Sequence, residues 1–205
     1  MPTKHKTKEA QIDDISLLEP EATYSYADYL KWTFDERVEL IKGKIFKMSP
    51  APRRNHQSIA ITISSEIFNF LKGKSCKVYS APFDVRFPNN PTDSDEQTYT
   101  VVQPDICVIC DSEKLDDTGC KGAPDLIVEI LSPSTSSKDL NEKFYLYEEH
   151  GVQEYWVIYP GENVLEIYDL KDGKYVSRGK FVKENTVTSD ILKGLEIKLE
   201  EVFTE

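Results

Sequence analysis

The sequence has few cysteines, no long apolar run and no glycine-rich phosphate-binding loop. A membrane-spanning helix needs about 20 consecutive apolar residues, and no run approaches that length. The N-terminal stretch also lacks the apolar core of a signal peptide. We therefore expect a cytoplasmic protein. The missing Gly-rich loop argues against a P-loop nucleotide site.

The cysteines favour neither a disulfide framework nor a metal site. Four in 205 residues are few, and a disulfide scaffold is typical of smaller, cysteine-dense chains. Cys107 and Cys110 have CxxC spacing but fall inside a predicted strand, where residues three apart face opposite sides. No second CxxC follows, so we exclude zinc and dithiol redox roles.

The net charge of −11 argues against nucleic-acid binding by the whole surface. The charge is unevenly distributed, however. Residues 42–77 contain eight basic side chains and one acid, a net +7, which leaves −18 for the remainder. This segment is either ordinary solvated surface or a patch that binds phosphate. Its nucleic-acid-binding candidates are Lys42, Lys44, Arg53 and Arg54.

The hydrophobic pattern predicts a disordered segment over residues 1–22 and a single domain over residues 23–205. Ser25 and Asp28 form a capping-box-like helix start, and Lys42-Gly43 is a turn signal between two alternating segments. A long helix follows, capped by Asn55 or Ser58 and closed near Gly73. Strands then alternate with one further helix, at about residues 138–150, before a C-terminal meander. We predict an α/β fold with a mixed central sheet flanked by helices.

Two apolar runs each carry a carboxylate where a charge is costly. Asp105 opens QPDICVIC, and Glu129 lies inside LIVEIL. Such runs are typical of strands buried on both faces. An ionised carboxylate there costs several kcal/mol unless it is paired or binds a metal. Corresponding positions on neighbouring strands predict one shared site, and oxygen ligands suit Mg or Mn.

A lysine and a tyrosine on the next predicted helix are candidates for the same site. Lys143 and Tyr147 are four residues apart and so share one helix face. With the two acids they form a candidate metal-dependent hydrolytic site.

At these residues the chain resembles the PD-(D/E)xK nuclease superfamily, and within it the Uma-type putative restriction endonucleases. The resemblance covers nearly all of the chain after about residue 23. Each segment is weakly diagnostic, but their ordered set is specific: VELIKGKI, MSPAPRRNHQSI, QPDICVI, APDLIVEILSPST, KDLNEKFYLYEEHGVQEYWVIYP and LKGLEIKLEEVF.

The resemblance implies roles for individual residues. Asp105 matches the motif aspartate, and Glu129, 24 positions later, matches the second acidic metal ligand. The chain departs from the simplest pattern two residues further on, where the motif lysine is replaced by Leu131. Lys143 on the following helix matches that lysine instead.

Two further positions match the family. Glu39 corresponds to the acid of the first hairpin, and His56 to a histidine that opens the long helix. The resemblance implies that both bind the metal or support its ligands. Tyr147, one turn after Lys143, would hydrogen-bond a phosphate or the site water.

Each residue also has a structural interpretation. Asp105 can begin a strand, and Glu129 can be a core carboxylate paired with Lys143. Tyr147 can lie at the edge of the core, His56 can be a helix-start donor, and Glu39 can be a solvated strand residue.

Taken together, these features predict a Mg- or Mn-dependent endonuclease that hydrolyses phosphodiester bonds of DNA. The first alternative is a catalytically degenerate nuclease-like fold that binds nucleic acid or protein, and the second is a hydrolase of another phosphate ester. A homodimer is expected by analogy with enzymes that cut both strands.

Overall fold

The computed structural model describes residues 11–48, 53–132 and 137–204, with backbone alone for 137–139. The chain divides into two compact units. The first comprises Met1–Met48 with Pro88–Val101, and the second comprises Ser49–Phe87 with Val102–Glu205.

The first unit contains a short helix and a β-hairpin. Its elements are α1 (Tyr26–Tyr29), β1 (Val38–Ile41) and β2 (Lys44–Lys47), with 3-10 turns at Ile15–Leu17 and Asp95–Gln97. The predicted capping box is present, with Ser25 N donating to Asp28 Oδ2 at 3.0 Å and Asp28 N donating to Ser25 Oγ at 3.3 Å. Lys42 and Gly43 turn the hairpin with φ of 51° and 76°, as a tight hairpin turn requires.

Residues 1–10 of the predicted disordered segment lie outside the described residues, and the segment before this helix is described from residue 11 onwards. Within residues 11–22, the 3-10 turn is capped by Asp14, whose Oδ1 accepts from Ser16 N at 2.8 Å. Ile12 forms a β-bridge with Trp32. Tertiary pairing of this kind leaves no local periodicity for the sequence to reveal.

The second unit is built around a six-stranded mixed sheet. Its helices are α2 (Arg54–Leu71), α3 (Ser137–His150) and α4 (Leu199–Val202). The strands that follow β2 are β3 (Lys77–Ser80), β4 (Val85–Arg86), β5 (Val101–Val102, which begins in the first unit), β6 (Ile106–Ile109), β7 (Leu115–Asp116), β8 (Gly119–Lys121), β9 (Leu126–Ile130), β10 (Glu154–Tyr159), β11 (Val164–Lys171), β12 (Lys174–Val182), β13 (Thr186–Thr188) and β14 (Glu196–Lys198).

The strand order of this sheet is β12-β11-β10-β9-β6-β3. β9 and β10 are parallel and are joined through α3, whereas the other neighbours are antiparallel. Further strand pairs lie in this unit: β4 pairs with β8 and β8 with β7, and β13 pairs with β14. The predicted α/β fold with a mixed central sheet is confirmed.

The two long helices cover opposite faces of the sheet. Ile59, Ile63 and Ile67 of α2 pack into one core cluster with Val128 and Trp156. On the other face, Phe144 of α3 lies 6.3 Å from Tyr155 and 5.0 Å from Tyr168, measured between ring centroids. Alternation along β9 therefore directs Val128 towards α2 and Glu129 towards α3.

The start of α2 differs from the prediction. The helix begins at Arg54, and its N-cap residue, Arg53, makes no side-chain capping bond. Asn55 and Ser58 lie inside the helix, so neither is the cap.

The cysteines also differ from the prediction. Cys76 and Cys110 form a disulfide, while Cys107 and Cys120 are free and buried. Antiparallel pairing of Lys77 with Ile109 brings the two bonded residues to adjacent places beyond the strand ends. The sequence separation of 34 gave no local signal of this pairing.

Among the residues that the structure describes, none of the helices combines the length and the apolar character of a membrane-spanning segment.

Candidate active site

The two acids that the sequence singles out meet at one end of the sheet. β6 and β9 are antiparallel, with Ile106 opposite Val128, so the same register places Asp105 opposite Glu129. Directly opposed residues of an antiparallel pair share a face. Ile130 N donates to Asp105 Oδ2 at 2.8 Å, which fixes that carboxylate at the strand end.

Glu129 is a nearly buried carboxylate with two strong donors. Its side chain is 11% exposed, and Oε1 accepts from Lys143 Nζ at 2.9 Å and from Tyr147 Oη at 2.7 Å. The i, i+4 spacing on α3 delivers both donors to one atom. A charge-assisted pair of this kind offsets the cost of burying the carboxylate.

His56 reaches the other acid from the first turn of α2. Its Nε2 lies 3.3 Å from Asp105 Oδ2. Burial lowers the pKa of His56, but the hydrogen bond and charge of Asp105, together with the charge of Glu129, outweigh it and raise the pKa above its ordinary value. Helix α2 packs on the face of the sheet opposite α3, so only the N-terminal end of α2 can approach Asp105 and Glu129.

Five of the six predicted catalytic residues thus lie around the same strand ends in the second unit: His56, Asp105, Glu129, Lys143 and Tyr147. The sixth, Glu39, belongs to the first unit. It is buried on β1, opposite Phe46.

The basic segment does not form one patch in the second unit. Arg53 and Arg54 are exposed at the start of α2, beside His56. Lys72 and Lys74 follow its other end, about 27 Å away for an 18-residue helix. There they lie over phenylalanine rings, with Lys74 Nζ 3.0 Å from the Phe70 centroid and Lys72 Nζ 5.5 Å from that of Phe68.

The two remaining nucleic-acid candidates are in the first unit. Lys42 occupies the hairpin turn, and its backbone N–H donates to Thr100 Oγ1 at 3.1 Å. Lys44 Nζ donates to the carbonyls of Glu21 at 2.7 Å and Ala22 at 3.2 Å. Lys44 is therefore engaged in holding the chain before α1.

Tyr155 on β10 is a further neighbour of the site. Its ring centroid is 5.2 Å from that of Tyr147. Its hydroxyl is buried and has no hydrogen-bond partner within the described part of the chain. Burial and the nearby Glu129 charge raise the pKa of Tyr155 well above its usual range, so the hydroxyl stays protonated. Tyr155 pairs with Ile127, which is two residues from Glu129. Strand alternation therefore puts Tyr155 on the same face of the sheet as Glu129, and this alternation is the signal that identifies Tyr155 as a neighbour of the site.

The two acids supply oxygen donors of the kind that suit a hard divalent cation. Across residues 11–48, 53–132 and 137–204, no group of three or more His, Cys, Asp or Glu side chains is arranged to hold a metal ion. Asp105 and Glu129 nevertheless supply two carboxylates on one face. Mg²⁺ is commonly held by one or two carboxylates with substrate phosphates and waters completing the shell.

The mixed sheet between two helices, with Asp105 and Glu129 at facing positions on adjacent strands, defines the class: a nuclease-like α/β fold. Comparison with known proteins agrees. The model of the Uma2 family, described as putative restriction endonuclease, matches residues 26–200. The chain therefore belongs to the Uma2 family.

Two individual proteins illustrate the relationship. An uncharacterized protein of Synechocystis is 30% identical over 148 residues, which cover 71% of this chain and 73% of that protein. The crystal structure of a putative nuclease from Anabaena variabilis, assigned to DUF820, superposes with a TM-score of 0.69 at 22% identity. That match covers 88% of this chain and 98% of the other, and it shows the shared fold.

Proposed function

We propose that this protein is an endonuclease that hydrolyses phosphodiester bonds of DNA with the help of Mg²⁺ or Mn²⁺. The observation that carries the proposal is the convergence of Lys143 and Tyr147 on Glu129, with Asp105 in register opposite it. Membership of a family of putative restriction endonucleases and the fold of a putative nuclease support the same reaction class.

Asp105 and Glu129 would hold the cation. When bound, it supplies Lewis-acid stabilisation of phosphoryl oxygens and lowers the pKa of water. Neither carboxylate is sealed off from solvent, since the Asp105 side chain is 22% exposed and that of Glu129 is 11% exposed.

The protein's own groups orient the two acids and balance charge. Lys143 places a cation beside Glu129, where it would stabilise the negative charge that develops on a phosphate in the transition state. Tyr147 fixes the rotamer of Glu129 through its hydroxyl. His56 Nε2, 3.3 Å from Asp105 Oδ2, would hold that carboxylate in place.

The first experiment is titration of Mn²⁺ into the purified protein by calorimetry. We expect binding that is lost in Glu129→Ala and kept in Glu162→Ala, an exposed glutamate after β10 that serves as the matched control. With labelled DNA, Asp105→Asn and Lys143→Met should each lower cleavage by about 10²-fold or more. Equal cleavage by these variants and the wild type would contradict the proposal.

The alternative of a degenerate, binding-only fold has its own supporting observation. Lys143 and Glu129 already form a short, shielded ion pair, which is a structural arrangement in many proteins. If that is its sole role, the double variant Glu129→Gln/Lys143→Met should be at least as stable as the wild type, and Mn²⁺ should not bind. Binding of Mn²⁺ together with cleavage by the wild type would exclude this alternative.

We also propose a homodimer, by analogy with enzymes that pair two active sites to cut both strands of a duplex. Sedimentation equilibrium of the protein alone and with duplex DNA tests it, and a monomer under both conditions would contradict it.

A further inference from the structure

A stacked pair of aromatic rings lies at the sheet edge near Asp105. Tyr79 and Phe83 have ring centroids 4.3 Å apart and planes within 9° of parallel. We propose that this pair is a stacking site for an unpaired nucleobase adjacent to the phosphate that is cleaved. The inference rests on the proposed nuclease function and adds the substrate class: DNA whose bases are unpaired at the cut.

The strand register places the pair beside the acids. Tyr79 on β3 is opposite Cys107 on β6, and Asp105 lies two residues before Cys107 on the same face. Diagonal neighbours of this kind are about 7–8 Å apart. Ala81 N donates to the Asp105 carbonyl oxygen at 3.1 Å, which continues the backbone pairing of β3 with β6 past the strand end. Phe83 follows two residues after Ala81.

The position of the pair differs from that of the core aromatics. β3 is the outermost strand of the six-stranded sheet, and both rings are half-buried. Tyr155 and Tyr26, in contrast, are at most 1% exposed. Ser80, the next residue along β3, faces the other way and meets Ser64 of α2 at 2.9 Å. Helix α2 therefore packs on the face opposite Tyr79.

Chemistry favours a nucleobase as the occupant. Every base has a π-face, and stacking on an aromatic side chain contributes about 1–3 kcal/mol per base with little sequence preference. The exposed Arg53 and Arg54 open the helix whose His56 contacts Asp105, so positive charge for the phosphates lies near the same acids. A base paired within a duplex cannot offer its face to a side chain, which selects single-stranded or locally unpaired DNA.

The test uses a single-stranded oligonucleotide that carries one 2-aminopurine, whose fluorescence falls when the base stacks. The full-length protein is titrated in Mn²⁺ buffer while cleavage is followed on gels. We expect quenching by the wild type, with the dissociation constant raised about tenfold or more in Tyr79→Leu and in Phe83→Leu. Leucine keeps an apolar side chain and removes the aromatic face. Two separate variants, each checked by circular dichroism, protect the test against a failure of one to fold.

Phe68→Leu is the matched control, because Phe68 is an exposed aromatic (58%) three turns further along α2 from His56; it should behave as the wild type. Absence of quenching, or equal quenching in all variants, overturns the base-stacking site. Cleavage without quenching would support the proposed nuclease function and contradict the stacking site. Quenching that is lost in both variants, without cleavage, would support the stacking site and contradict the hydrolytic function.

Discussion

Two donors from one helix meet the same carboxylate oxygen of Glu129, whose side chain lies in the interior. Lys143 contributes charge and Tyr147 contributes a fixed hydroxyl. Removing either changes the environment of a carboxylate that has little access to water. At the scale of single residues, the contacts of Lys143 and Tyr147 with Glu129 therefore stabilise the fold as well as the proposed site.

We predict that Tyr147→Phe lowers the free energy of unfolding by about 2 kcal/mol, because it removes a hydrogen bond to a buried carboxylate. It should also lower DNA cleavage, since Glu129 loses the group that fixes its rotamer. Urea denaturation and cleavage assays check both. Tyr145→Phe, two residues away and 63% exposed, is the control and should change neither quantity. Equal stability of the two variants would contradict this account.

At the scale of elements, the disulfide joins the turn after α2 to the end of β6. Cys76 precedes β3, and Cys110 follows β6. The bond therefore restrains the helix that carries His56 at its opposite end.

The double variant Cys76→Ala/Cys110→Ala should be less stable than the oxidised wild type by about 2–4 kcal/mol, because the bond restricts the unfolded chain. Chemical denaturation under oxidising conditions measures this difference. The wild type with dithiothreitol should match the variant. A reduced wild type as stable as the oxidised form would show that the bond contributes nothing.

A second element-scale feature is the ion pair between β4 and β7. Arg86 is buried, and its guanidinium donates to Asp116 Oδ2 at 2.6 Å. Burial raises the pKa of Asp116, but hydrogen bonds from Arg86 and Thr118 outweigh this and lower the pKa from 3.8 to about 2.

A carboxyl group whose pKa is lowered by folding stabilises the folded state at pH values above its pKa in the unfolded chain. This stabilisation is lost as the pH falls through its pKa in the folded state. Asp116→Asn should therefore cost about 1 kcal/mol at neutral pH, a value kept small because the Asp116 side chain is 48% exposed. The difference from the wild type should shrink as the pH falls from 3.8 towards about 2. Urea denaturation across this range measures it, with the neighbouring exposed Asp117→Asn as the control. A difference independent of pH would be inconsistent with the ion pair.

At the scale of the whole molecule, charge is distributed by the fold in a way that composition conceals. The net charge is −11, yet basic residues lie at both ends of α2. Arg53 and Arg54 are at its N-terminal end, which is the end near Asp105 and Glu129. Affinity for DNA should then depend on which end of the helix loses its charge.

Arg53→Ala/Arg54→Ala should weaken DNA binding and reduce the slope of log K against log salt by about 1.5, because each phosphate contact releases close to one counterion. Fluorescence anisotropy at several salt concentrations gives the slope. Lys72→Ala/Lys74→Ala removes the same charge from the far end and should leave the slope unchanged. Equal effects of the two pairs would mean that net charge alone governs binding.

The sequence by itself determined the local features of this protein. Apolar runs around Asp105 and Glu129 predicted buried strands with costly charges, and the i, i+4 spacing placed Lys143 and Tyr147 on one helix face. These predictions depend on periodicity within a few residues. The geometry of helices and strands produces that periodicity, so it can be recognised in the sequence.

The tertiary structure decided which distant segments meet. The antiparallel register set Asp105 opposite Glu129, and it also brought Cys76 to Cys110 and Tyr79 to within reach of Asp105. His56 contacts Asp105 because α2 crosses the sheet so that its first turn reaches the strand ends. Such contacts depend on long-range pairing and helix packing, which leave no periodic signal in the chain itself.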